Sequence, residues 1–235
     1  MASIKRILSD IWFRQGRWQP WAERRAEYRR EAADYWFHVY RPQPGDVIVD
    51  IGAGCGEDVY AFSEGVGAEG VVWALEAHPE TFKRLERFCR KRRLSNVRCI
   101  RRAVMDRRAM LHIETQANWQ ANSISDRPRT PASEDVESLP FDDICLEHGI
   151  ARIDFLKMNI EGAERFALAG MSAALARTRH ICVAAHDFRA DRGEGEQFRT
   201  RDFVVKALEA AGFTLALRTS DPRSWVRDQI HGTRS

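Results

Sequence analysis

Asp50 and Glu76 each close a short apolar run, over residues 47–51 and 71–76, and Gly52, Gly54 and Gly56 follow the first of them. Glycines at this spacing let the backbone turn sharply and approach a ligand where a side chain would collide. The GAGCG turn lacks the third spaced glycine of a dinucleotide fingerprint, because Glu57 stands at that position. A carboxylate at the tip of the first strand repels a pyrophosphate but suits a cationic, amino-bearing ligand such as S-adenosylmethionine, and a second carboxylate after the next strand suits both ribose hydroxyls. The expected cofactor contacts are Asp50, Gly52, Ala53, Gly54, Gly56, Glu57, Glu76, Ala77, Ala103, Val104 and Asn159.

A second group of residues has the types needed for acid–base work. Lys157 lies within the apolar run IDFLKMN, where a cation must be paired or desolvated, so a carboxylate partner is expected nearby. Glu161 follows that run, and His186 follows the apolar run at residues 180–185. Active-site residues of open α/β sheets gather at such strand ends. A neutral imidazole at position 186 could take a proton from an acceptor hydroxyl, so His186, Lys157 and Glu161 are the catalytic candidates. His186 or Asp187 could instead join Glu161 and Glu164 around a divalent cation, but Asn159 removes one carboxylate and Lys157 competes for the others, so no metal site is assigned. The polar stretch 115–134 is long for a compact domain. Within it Asn118, Trp119, Asn122 and Ser123, with Asp187 from the later loop, offer the amide, hydroxyl, stacking and carboxylate contacts of a sugar or polyol site.

These positions require a parallel sheet. Strands are expected at 47–51, 71–76, 96–101, 153–159, 180–185, 213–218 and 225–230, with a hairpin strand at 110–114. Helices are expected at 57–64, 78–93, 141–148, 164–169, near 173 and at 200–211, the last closed by Gly212. Residues 1–41 differ, because tryptophans 12, 18, 21 and 36 and three tyrosines are interleaved with arginines. A helix is expected over 21–40, ended by Pro42 and Pro44. The segment reads as an extension that packs on the sheet, covers the site as a lid, or joins copies of the chain into a homo-oligomer; the rest, 42–235, reads as one catalytic domain. The tail after His231 reads as frayed.

At 235 residues and 44% hydrophobic the chain can bury one α/β core. Lysine and arginine total 37 against 34 acids, too even a balance to indicate a nucleic-acid partner. Five cysteines without a CxxC pair point to reduced thiols and a cytoplasmic location. No apolar run is long enough for a signal peptide or a membrane span.

VIVDIGAGCGED, Glu76, DFLKMNIEGAERFALAGM and AAHDF together resemble the FkbM-type group of class I S-adenosylmethionine-dependent methyltransferases, over residues 47–230. Where that group usually has aspartate, this chain has Asn159. The resemblance implies a Rossmann-like, doubly wound seven-stranded sheet whose last strand is antiparallel. It also implies methyl transfer to oxygen, with sugar, glycoside or polyketide-type hydroxyls as acceptors. A non-catalytic S-adenosylmethionine-binding or scaffold protein stays open. A nicotinamide-dependent dehydrogenase is weakened by the missing third glycine and by Glu64, not lysine, four residues after Tyr60.

Overall fold

In the computed structural model, residues 20–114 and 133–234 are described. Seven strands form the main sheet: β1 (Val47–Ile51), β2 (Val71–Leu75), β3 (Val97–Ile100), β7 (Ile153–Met158), β8 (Thr178–Ala184), β9 (Thr214–Leu217) and β10 (Gln229–Thr233). Their order is β3-β2-β1-β7-β8-β10-β9. Neighbours from β3 to β8 run parallel, and β10 is antiparallel to both β8 and β9. The reversal of strand order beside β1 opens a crevice at the carboxyl ends of β1 and β7, the place where such sheets bind ligands.

The central strands are apolar on both faces, as helices on both sides demand. Every residue of β7 is buried. One face carries Ile51, Leu75, Leu156, Met158 and Val183 under α4 (Phe141–His148), α5 (Glu164–Ala169), α6 (Ser172–Ala176) and α8 (Arg201–Ala210). The other carries Ile48, Val72, Phe155 and Cys182 under α2 (Glu57–Val66) and α3 (Pro79–Arg92). The remaining short helices are α7 (Asp187–Ala190) and α9 (Ser224–Arg227).

The first helix, α1 (Trp21–Tyr35), stops five residues short of the expected end. Trp36, Phe37 and Tyr40 leave the helical path to dock on the sheet, where Tyr40 stacks on Phe155 at 4.8 Å between ring centroids. The Tyr40 hydroxyl donates to Asp46 at 2.6 Å, which fixes the approach to β1. Tertiary docking here outweighs helix propensity. The Arg29 guanidinium donates to Glu64 on α2, and Trp21, Tyr28, Tyr60 and Phe88 form an edge-to-face aromatic cluster.

Two expectations are corrected. Residues 225–230 are not one strand: Asp221 accepts from the Arg223 backbone N–H, α9 follows, and β10 begins only at Gln229. The end of the chain is not frayed through residue 233, because His231, Gly232 and Thr233 pair with both β8 and β9. Ala103 and Val104 form a short strand, β4, in a second sheet with β5 (Ala109–Glu114) and β6 (Ser133–Leu139) in the order β4-β6-β5. The alternation at 110–114 signals the hairpin, but its return strand is polar at Glu134, Asp135 and Glu137 and carries no such signal.

Candidate active site

At the carboxyl ends of β1, β2 and β7 a cavity is lined by Gly52, Gly54, Glu76, Ala77, Ala103, Val104, Asn159 and Glu161 among others. All eight are residues that the sequence selects. The turn after β1 is shaped by close approach: Gly52 has φ +82°, and a Cβ there would lie 2.1 Å from the carbonyl oxygen of Asn159. Gly54, at φ +57°, has nothing within 4 Å of its absent Cβ, so the turn leaves space beside it. Gly56 caps α2 with φ 104°, and Ala53 and Gly56 are packed under the turn and do not line the cavity.

Glu76 is fixed by the backbone. One carboxylate oxygen accepts from Gly54 N–H at 2.9 Å and the other from His78 N–H at 2.8 Å. Burial pushes its carboxyl above the ordinary range, opposed by those two hydrogen bonds. Each oxygen keeps a lone pair for a ligand. Around it the wall is largely apolar, with Ile51, Leu75, Ala103, Val104, Ile113 and Ile160. His78, Thr81 and Arg102 also line it and are missed by the sequence reading. His78 accepts at Nδ1 from Thr81 N–H, so its placement follows from capping α3, a signal present in the His-Pro-Glu-Thr run.

Asp50 does not face the cavity. It is fully buried, and its Oδ1 lies 2.8 Å from Lys157 Nζ, the cross-strand partner in register on β7. The expected contact with an amino-bearing ligand is therefore corrected: the cation beside Asp50 is the chain's own lysine. Lys157 also donates to the Gly52 carbonyl at 2.9 Å, lies 3.6 Å from Asp58, and sits 5.0 Å from the Trp36 ring. Burial pushes Asp50 up to about 6 against the pull of Lys157. The Lys157 ammonium, with neighbouring carboxylates outweighing its burial, is held above its ordinary value. At neutral pH the two form an ion pair that ties β1 to β7 under the turn, and Lys157 does not line the cavity. Glu57 opens α2 at the N-terminal end, its carboxyl raised chiefly by burial.

The opposite wall is built on the β7 exit. Asn159 N–H donates to the Ile51 carbonyl at 3.0 Å, while its side-chain oxygen is buried with no hydrogen-bond partner among the described residues. Glu161 has φ 55°, a strained backbone for a residue with a side chain, and Gly162 follows at φ 99°. That turn puts Glu161 Oε1 3.5 Å from His186 Nε2, and Oε2 accepts from Arg189 at 2.6 Å. On its other side His186 Nδ1 is 2.9 Å from Glu164 Oε1. His186 is buried, and burial alone would depress it. The two carboxylates prevail and push it up to about 10. The neutral imidazole base expected here is thus flanked on both ring nitrogens by carboxylates that favour its protonated form. Glu161, despite its burial, is held below the ordinary carboxylate range by His186 and then Arg189.

Asp187 is not at the cavity. Its Oδ1 accepts from Thr200 and Arg201 N–H at 2.8 and 2.9 Å and so caps α8. Asn118, Trp119, Asn122 and Ser123 lie outside the described residues. Among the described residues no group of three or more His, Cys, Asp or Glu side chains is arranged to hold a metal ion, and no helix is long and apolar enough to cross a membrane.

The strand order, the glycine turn after β1 and the carboxylate after β2 define a methyltransferase of the Rossmann-like type. Residues 50–215 match the Methyltransferase FkbM domain, and the chain belongs to that family. It is 26% identical over 170 residues to the 2-O-methyltransferase NoeI of Sinorhizobium fredii (strain NBRC 101917 / NGR234), an alignment covering 65% of this chain and 68% of that protein. The crystal structure of methyltransferase FkbM from Methylobacillus flagellatus KT superposes with a TM-score of 0.61 at 18% identity. That superposition covers 88% of this chain but spans only 50% of the other chain, and it speaks for the fold.

Proposed function

We propose that the protein transfers a methyl group from S-adenosylmethionine to a hydroxyl of a small molecule, a sugar, glycoside or polyketide-type compound. The observation that carries this reading is Glu76, a carboxylate clamped by two backbone N–H groups on the wall of an otherwise largely apolar cavity. The residues fit the cofactor. Glu76 would accept from both ribose hydroxyls, the apolar wall around Val104 would take the adenine, and the orphaned Asn159 oxygen would accept from an amino group. Bound there, S-adenosylmethionine supplies a sulfonium methyl for in-line displacement by the acceptor oxygen.

The protein's own contribution is alignment, for which about 7–11 kcal/mol is available in well-oriented reactions. Glu161 is the ionised group on the far wall, and it would accept a hydrogen bond from the incoming hydroxyl and hold its lone pair toward the cofactor. The kinship with a protein named as a 2-O-methyltransferase supports oxygen as the target atom.

Calorimetric titration with S-adenosylhomocysteine tests the cofactor assignment. Glu76→Ala is expected to weaken binding about 10- to 100-fold, the cost of losing hydrogen bonds to a charged group. Undiminished affinity would remove Glu76 from the ribose site, and no binding by the parent protein would overturn the whole reading. A labelled-methyl assay over a panel of hydroxylated sugars and polyketides then tests the acceptor.

A further inference from the structure

Away from the cavity, two thiols meet where α3 packs on the edge strand β3. Cys89, in the last turn of α3, and Cys99, on β3, have their sulfurs in hydrogen-bond contact at 3.9 Å. The two are not equivalent. Cys89 is buried at 7% exposure, whereas Cys99 is half-buried and opens onto a groove lined by Glu86, Arg90, Arg98 and His148. β3 is the outermost strand of the sheet among the described residues.

We propose that Cys89 and Cys99 form a peroxide-sensitive dithiol, in which the Cys99 sulfur is oxidised first and the Cys89 sulfur then closes a disulfide. In the first step the Cys99 thiolate attacks one oxygen of hydrogen peroxide, the O–O bond breaks, hydroxide leaves, and a sulfenic acid forms. In the second the Cys89 sulfur attacks the Cys99 sulfur, the S–O bond breaks, and the Cys89 proton leaves with the hydroxyl as water. Peroxide is the two-electron oxidant and is reduced to water, and the two thiols together supply both electrons.

The division of roles follows from the site. Cys99 is the more accessible sulfur and lines the groove, so it is the one that meets peroxide first. Cys89 is buried with its sulfur 3.9 Å from that of Cys99, so it is shielded from peroxide and placed to resolve the sulfenic acid. Cys55, also half-buried, is pushed up to about 11 chiefly by burial, while Cys145 and Cys182 are buried. Selectivity for the pair is therefore built in. The bond would staple α3, whose other end delivers Thr81 to the cavity wall, to the carboxyl end of β3, which leads into Arg102 on the same wall.

The experiment treats the full-length protein with hydrogen peroxide and maps cysteine-containing peptides by mass spectrometry with and without dithiothreitol. The expected product is a Cys89–Cys99 cross-linked peptide, lighter by two hydrogens and restored by dithiothreitol, formed at least about 10-fold faster than any modification of Cys55. In Cys89→Ser, dimedone should capture a sulfenic acid at position 99, and in Cys99→Ser it should leave Cys89 unmodified. Oxidation that stops at sulfinic acids without a cross-link, prior modification of Cys55, or equal dimedone capture in the two variants would each overturn the proposal. So would an unreacted pair in the parent protein.

Discussion

His186 shows how a residue's neighbours bear on the role its type suggests. As a histidine at a strand end it reads as a base, yet Glu161 and Glu164 flank its two ring nitrogens and Arg189 completes the network. Its folded pKa, about 10, stands above an unfolded value near 6.5. The extra proton affinity belongs to the folded state, so the stabilisation is complete below pH ~6.5 and is lost as pH rises toward ~10. At about 1.4 kcal/mol per pKa unit the loss is several kcal/mol at most. Urea melts of the parent should therefore weaken across that window, whereas His186→Gln should lack this part of the decline. Parallel curves for the two proteins would refute the charged network. Lys157 teaches the opposite lesson, since its need for a carboxylate is legible in IDFLKMN. That the partner is Asp50 follows from the Asp50–Lys157 register across β1 and β7, which no local sequence feature encodes.

Elements were legible where a period or a breaker marks them. α4 and α5 fall on residues 141–148 and 164–169 as the sequence predicts, because Gly149 and Gly170 close them. The end of α1 and the whole of β6 were not, because docking of Trp36, Phe37 and Tyr40 and pairing of a polar strand are tertiary events. The β1–α2 turn is the element whose geometry the sequence marked most clearly, through its glycines. Gly52→Ala would bring a Cβ to 2.1 Å from the Asn159 carbonyl oxygen in a backbone conformation that disfavours side chains. Overpacking of this kind costs about 1–3 kcal/mol. Since the displaced atoms carry Asn159, S-adenosylhomocysteine affinity should fall along with the urea midpoint. Gly54→Ala, which meets nothing within 4 Å, separates the two effects. It should cost less stability and still reduce affinity by filling space beside Glu76. Equal stability losses in the two variants would show that the close approach at Gly52 is not what constrains the turn.

At the scale of the whole molecule, the described part of the N-terminal segment belongs to the core. None of residues 20–41 lines the cavity. Trp36, Phe37 and Tyr40 are each at most 6% exposed and cover Ile48, Phe62 and Phe155 on one face of the sheet. Asp34 accepts hydrogen bonds from Arg218 and Arg223, which ties α1 to the segment after β9, at the far edge of the same sheet. Burying a large apolar side chain contributes about 1.5–3 kcal/mol, so the three aromatic residues together contribute roughly 5–9 kcal/mol. A domain's entire stability is about 5–15 kcal/mol. Deleting residues 1–40 should therefore abolish the cooperative urea transition rather than spare the fold and impair turnover alone, which a lid would predict. Phe37→Ala gives a graded version of the same test, with an expected loss of about 3–5 kcal/mol from the cavity left against Phe62 and Phe155. A truncated protein that melts with the parent's midpoint would show that the sheet face does not depend on its aromatic cover.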